Sequence, residues 1–188
     1  LGKCPSCNNW NTFVEEVIVK GSAKKEKDDW KDYAGLGKLK TISINDVSSA
    51  EEKRIITTDG ELNRVLGGGI VLGSIVLVAG EPGIGKSTLF LQNGLQLKDI
   101  VTLYISGEES EQQIKMRAER IGIRNEDCYI ITETNTDIIF GLLRDLELLL
   151  VVVDSIQTMQ AAAIESSPGS ISQIRETASQ FIKYAKDT

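Results

Sequence analysis

The sequence holds no histidine, three cysteines and 5% aromatic residues in 188 positions. Each shortage closes something off. A tetrahedral structural zinc site needs four ligands, and no imidazole is present to complete the pair Cys4 and Cys7. Cys128 stands far away in the apolar "CYIIT" and reads as a small buried hydrophobe. An odd cysteine count without a disulfide-like pattern favours a reducing, intracellular setting. Long hydrophobic runs are missing too: "LLLVVV", Leu148 to Val153, falls far short of the ~20 residues that cross a bilayer. No membrane partner and no signal peptide are therefore expected, and the expected location is cytoplasmic. Basic charge is scarce: 21 Lys and Arg against 27 Asp and Glu leave a net charge of −6. That balance excludes a protein that coats nucleic acid by bulk attraction, so any DNA contact is expected to be local.

What is present, 41% hydrophobic and 26% charged residues, describes a globular chain with one full core and a small attachment. A domain of about 150 residues buries roughly 68–70% of its unfolded surface, enough to dispense with staples. The chain opens on Leu1 and stops at Thr188 just after a helical pattern, which suggests a piece of something longer. Residues 1–19 form a turn-rich knuckle with Trp10 and Phe13 but too little apolar surface to fold alone. Residues 20–40 crowd both signs of charge with little to bury and read as a linker. Residues 41–188 form the main domain, with dense patterning from about Arg54.

In that domain strand-like and helix-like segments alternate, the mark of an α/β fold with a mostly parallel sheet flanked by helices. "DGELNRVLGGG" predicts a short helix capped by Asp59, with Gly67 just past its end. "SIVLVA" predicts a strand, Lys86 to about Lys98 a helix, and "IVTLYIS" the next strand. In "SEQQIKMRAERIG", Ser110 and Gln113 form a capping box, Ile114, Arg117, Ala118 and Ile121 share a face, and Gly122 stops the helix. "CYIIT" is a third strand, and "DIIFGLLRDLE" a helix with Ile138, Leu142, Asp145 and Leu146 near one stripe. "LLLVVVD" is a fourth strand, apolar throughout and so expected to be buried on both faces. After a long connection, "SISQIRETASQFIKYAK" predicts a second capping box, Ser170 with Gln173, and a buried stripe of Ile171, Ile174, Ala178, Phe181 and Ala185.

One stretch carries chemistry in full. "GEPGIGKST" follows the strand-like "SIVLVA" and opens a helix, which is the context a P-loop requires. Gly80, Gly83 and Gly85, with Glu81, Pro82 and Ile84 between them, let the backbone wrap an anion at the helix N-terminus. Lys86 would reach the β and γ phosphates of a nucleotide, Ser87 would ligate Mg2+, and Thr88 sits toward the α-phosphate. Asp154, at the carboxyl end of "LLLVVVD", stands where an open α/β sheet places its ligand crevice and could hold the magnesium shell through water. Its plain alternative is a turn or helix cap. In "SGEES", Glu108 or Glu109 could accept a proton from an attacking water. Glu108 is the first candidate, but spacing does not separate the two, and solvated carboxylates favoured by a helix dipole are the alternative.

Taken together, "ELNRVLGGGIVLGSIVLVAGEPGIGKSTLFLQ", "LYISGEES", "VVVDSIQTM" and "SPGSISQIRE", preceded by "GKCPSCNNWNT", resemble the bacterial RadA (Sms) family of RecA-like DNA-repair ATPases. The likeness covers nearly the whole chain apart from the linker. It implies a RecA-like ATPase domain that assembles as a hexameric ring, binds single-stranded or branched DNA, and hydrolyses ATP to ADP with Mg2+. It further implies branch migration of recombination intermediates alongside the RecA recombinase. By resemblance Lys86 and Ser87 are the Walker A pair, Asp154 the Walker B acid, and the water-activating acid falls within Glu108 and Glu109.

The departures bear on these expectations. The family's zinc motif uses two Cys-x-x-Cys pairs, so Cys4 and Cys7 read as half of a Zn2+ ribbon, against a redox-active or incidental dithiol. A Lys-Asn-Arg-Phe-Gly motif and a protease-like domain of the family are missing, so this chain is expected to bind nucleotide and hydrolyse it poorly. Leu72 replaces an expected Pro, and Asn63 an expected Asp. The connection from Ser155 to Gly169 lies where RecA-like proteins place a DNA-facing loop, yet no Lys or Arg appears before Arg175, and a mobile surface loop is the alternative. A different function class therefore stays open: a nucleotide-switched ring scaffold of the KaiC type with protein partners.

Overall fold

The strand that forms the middle of the sheet is the one with a hydroxyl at each end, Thr102–Ser106, and every residue in it is buried. The computed structural model describes residues 42–47, 53–144, 146–148 and 150–188, so the expected zinc knuckle and charged linker lie outside the described residues. Contacts divide the chain between Glu51 and Glu52. In the first unit, a 3-10 turn spans Ile44–Asp46, and the Ser43 hydroxyl accepts from the Asn45 amide.

The second unit runs β1 (Arg54–Ile55), α1 (Gly60–Val65), β2 (Ile70–Val71), α2 (Lys86–Gln96), β3 (Thr102–Ser106) and α3 (Glu111–Ile121). It continues with β4 (Cys128–Thr132), α4 (Thr136–Arg144), β5 (Leu150–Asp154), a 3-10 turn at Ile156–Thr158, and α5 (Ile171–Asp187). β1 and β2 form an antiparallel pair, while β4, β3 and β5 form a parallel sheet in that order. Among the described residues no helix is long and apolar enough to cross a membrane.

Alternation along β3 sorts the core into two layers. Leu103 and Ile105 face one way and pack with Ile139 and Leu143 of α4, with Met159 just after the 3-10 turn, and with Phe181 of α5. Tyr104 faces the other way and packs with Leu91 and Leu95 of α2, Ile114 of α3 and Val152 of β5. Each fully buried Leu or Ile contributes about 1.5–3 kcal/mol, which outweighs any single polar contact on the surface. The ends of the helices follow the local rules. Asp59 accepts from the amides of Glu61 and Leu62, the Ser110–Gln113 capping box is reciprocal, and Gly122 ends α3 with φ 76°.

Several sequence expectations are corrected. Ser74–Ala79, read as a strand, has no ladder partner among the described residues, and Leu77 is 80% exposed. Its apolar residues specify a burial need, but ladder pairing is a non-local property that a local pattern does not supply. β5 is half-buried rather than enclosed, with only Val152 fully covered, because among the described residues it pairs with β3 alone. The buried stripe of α4 is Thr136, Ile139 and Leu143, one position on from the expected one, and Ile138 is exposed. Leu146 lies past the helix end. In α5, Phe181 is buried as expected, but Ile171 is 67% exposed and Ser172, Gln173 and Thr177 take the inner face.

The reason for that rotation is Gln173. Its side chain does not close the expected capping box, although the Ser170 hydroxyl accepts from the Gln173 amide. Instead Oε1 accepts from the Ala161 amide at 2.8 Å, and Nε2 donates to the carbonyls of Ala161, Ile164 and Ser166 at 3.0–3.3 Å. The connection Ser155–Gly169 is thereby stitched onto α5, and Met159 and Ala161 are 0% and 1% exposed. Asn63 has a comparable role near β1: its amide accepts from the Thr57 amide and donates to the Thr57 carbonyl, a pairing that an Asp, with no donor, could not reproduce.

Gln173→Ala is expected to lower stability by about 1–3 kcal/mol, because it strands buried backbone groups without partners. Urea titration checks this as a lower midpoint with the slope unchanged; an unmoved midpoint contradicts the clamp.

Candidate functional site

The loop Gly80–Gly85 is exposed and leads straight into α2. Gly83 and Gly85 hold φ 81° and 103°, which L side chains rarely adopt, so glycine is required at both. Lys86 folds back over the loop, its Nζ donating to the carbonyls of Gly80 and Glu81 at 2.8 and 2.9 Å.

Packing fixes where this helix start points. A Cβ built on Gly94 would lie 3.1 Å from Thr102 Cγ2 and 3.6 Å from Cys128 Sγ, so the far end of α2 sits over the first residues of β3 and β4. From Gly94 back to Lys86 is roughly 12 Å of helix at about 1.5 Å per residue, and β3 rises roughly 13 Å over its length. Leu91, nearer the helix start, packs with Tyr104, further along β3, so α2 runs back along the sheet and its N-terminus, with Lys86, Ser87 and Thr88, points toward the carboxyl ends of the strands.

At that edge, in-register pairing sets Ser106 opposite Asp154. The Gly107 amide donates to the Asp154 carbonyl at 3.0 Å, and the Asp154–Ser155 peptide is cis. Asp154 Oδ2 accepts from the Tyr104 phenol at 2.5 Å. Burial, and then the hydrogen bond to Asp154, push the Tyr104 pKa well above its ordinary value, so the phenol stays a donor. Because Asp154 follows Val152 by two residues, its side chain lies on the sheet face that α2 covers.

The two glutamates of "SGEES" part company. Their amides share the Ser106 hydroxyl, at 3.4 Å for Glu108 and 3.0 Å for Glu109. Glu108 Oε1 then accepts from Ser155 Oγ at 2.7 Å, across the strand end. Glu109 turns to α3 and pairs with Arg117, the two side chains 27% and 14% exposed. Glu109 Oε2 and Arg117 Nη1 are buried there without a hydrogen-bond partner. Beside this pair a cavity of about 260 Å³ is lined by Thr88, Arg117, Arg120 and Ile121. A Cβ on Gly107 would fall 2.0 Å from Thr158 Oγ1, so the glycine lets the 3-10 turn press against the end of β3.

The structure thus brings Asp154 and Glu108 to one sheet edge and points the helix start with Lys86, Ser87 and Thr88 toward it. Tyr104, Arg117 and Ser155 are additions that the sequence reading did not assign to the site. Cys4 and Cys7 lie outside the described residues; Cys128, expected to be buried, is half-buried against the α2 side of the core, and that burial pushes its thiol pKa up.

Residues 55–139 match the family model described as ATPase: KaiC. The DNA repair protein RadA of Bacillus subtilis (strain 168) is 46% identical over 192 residues, covering 99% of this chain and 41% of that protein. RadA of Haemophilus influenzae is 45% identical over 186 residues, covering 98% of this chain and 40% of its own length. RadA of Pseudomonas aeruginosa is 41% identical over 189 residues, covering 100% and 41%. This chain spans about two fifths of the length of these curated relatives. The parallel sheet and its flanking helices, with the matching family model, define a RecA-like ATPase domain. Within that class the chain is a homologue of the bacterial DNA repair protein RadA over nearly its whole length.

The Tyr104 contact has a pH signature. An unfolded tyrosine ionises near pH 10 while the folded phenol keeps its proton, so the unfolded state binds fewer protons above that pH and stability falls as pH rises. Above about pH 10 the parent should lose roughly 1.4 kcal/mol per pH unit relative to Tyr104→Phe, read from denaturant midpoints. Parallel curves for the two proteins would contradict the buried Tyr104–Asp154 contact.

Proposed function

We propose that this chain is the nucleotide-binding part of a longer RadA-type, DNA-dependent ATPase that processes and branch-migrates recombination intermediates. What supports the proposal is the direction of α2, whose start points toward the carboxyl edge of β3 and β5 that carries Asp154 and Glu108. The amides of Gly83–Gly85 and the N-terminus of α2 would cradle the phosphates, Lys86 would offset their charge, and the cavity that Thr88 borders with Arg117, Arg120 and Ile121 would take the nucleoside. The ligand set of Ser87 hydroxyl and Asp154 carboxylate is all oxygen, which suits magnesium. Bound there, magnesium would neutralise charge that develops on the phosphates. Glu108 is the base that takes a proton from the attacking water, because Glu109 is committed to Arg117. Glu109 is then a support for Arg117 rather than a second base.

By resemblance, the working form is a hexameric ring on single-stranded or branched DNA, acting beside the RecA recombinase in the cytoplasm. Cys4 and Cys7 supply half of a zinc ribbon whose other ligands lie elsewhere, and the chain alone hydrolyses ATP weakly. One observation favours a second reading, a nucleotide-switched scaffold for protein partners. The connection Ser155–Gly169 carries no cation, and the net charge is −6.

Lys86→Ala should weaken binding of magnesium-ADP by about 10- to 100-fold in calorimetry, as expected for loss of a charge-assisted contact. Glu108→Gln should bind as the parent does while its turnover falls by about 10²–10⁴. Equal hydrolysis by Glu108→Gln and the parent would move the base elsewhere.

Single-stranded DNA should speed hydrolysis by the full-length protein, and its complex should weaken as salt rises. A rate indifferent to DNA at low salt would instead favour the scaffold.

A further inference from the structure

Ser155 is the first residue after β5, and its hydroxyl reaches across the strand end to Glu108. We propose that Ser155 is a positioning residue for Glu108: its hydroxyl fixes the carboxylate at the sheet edge and ties it to the connection Ser155–Gly169. The inference rests on the reading of Glu108 as the base.

Three observations support it. Ser155 Oγ donates to Glu108 Oε1 at 2.7 Å, while the neighbouring Glu109 is held away from the edge by Arg117. Ser155 is itself anchored from the far side, since its carbonyl accepts from Thr158 Oγ1 at 2.8 Å and from the Thr158 amide at 3.2 Å. Thr158 in turn fits against Gly107, the residue before Glu108, where no side chain is tolerated. The base and the start of the connection are thus bound into one closed circuit of contacts. Beyond Thr158 the connection continues through the buried Met159 and Ala161 to the Gln173 clamp on α5. Glu108 is exposed just past the end of β3, where an untethered carboxylate would sample several rotamers, and a misplaced base loses rate steeply.

The test uses the full-length protein with single-stranded DNA present. Ser155→Ala should lower kcat about tenfold and leave KM for ATP and the affinity for magnesium-ADP within about twofold. Ser155→Thr, which keeps the hydroxyl, should recover kcat to within about threefold of the parent. A second readout needs no nucleotide: Ser155→Ala should lower the urea midpoint, and the same substitution in a Glu108→Ala background should not. The proposal is overturned by an unchanged kcat, by KM and ADP affinity worsening in step with kcat, by Ser155→Thr behaving as Ser155→Ala, or by a midpoint shift that persists without Glu108. If the parent binds no nucleotide at all, the P-loop reading fails, and the urea cycle still decides whether Ser155 holds Glu108.

Discussion

The parallel, in-register pairing of β3 with β5 is the constraint on which the rest depends. It sets Ser106 opposite Asp154, so that one strand end presents the carboxylate suited to a metal and the next presents the glutamate suited to a water. It also sets Tyr104 beside Val152, which places the phenol one turn of the pleat below Asp154 and within reach of its Oδ2. A slip of one residue would send every one of these side chains to the opposite face. Two apolar layers prevent the slip, because Leu103 and Ile105 belong to one cluster and Tyr104 to the other.

Elements whose signals are local were legible in the sequence. Asp59, the Ser110–Gln113 box and Gly122 mark helix ends through hydrogen bonds made within a few residues, and all three stand where they were read. The failures lie where tertiary context decides. α5 turns a row of polar side chains inward because Gln173 has backbone groups of the connection to satisfy, and nothing within α5 announces them. The apolarity of "LLLVVVD" and "SIVLVA" is equally strong, yet β5 is only half covered and Ser74–Ala79 has no ladder at all among the described residues. The enclosed strand is "TLYIS", which carries a hydroxyl at each end.

For the candidate site the division is similar. The spacing Gly80-x-x-x-x-Gly85-Lys86-Ser87 names its own chemistry, and Asp154 follows from its position at a strand end. Glu108 and Glu109 are adjacent and chemically identical, so only their partners tell them apart: Ser155 for one and Arg117 for the other. Those partners are 47 and 8 residues away in sequence. The serine gave no signal of its own, whereas Arg117 on the inner face of α3 was visible as a cation placed among apolar neighbours. Tyr104, read simply as a strand residue, gains its part from the short bond to Asp154.

On the proposed function a helix N-terminus and a strand end cooperate: the loop and α2 would hold the phosphates, and Asp154 would hold the metal that accompanies them. Affinity for ADP measured by calorimetry with and without magnesium, in the parent and in Asp154→Asn, addresses that cooperation directly. Magnesium should tighten ADP binding in the parent, and Asp154→Asn should remove the increment while leaving metal-free binding intact. An equal magnesium increment in both proteins would contradict the account.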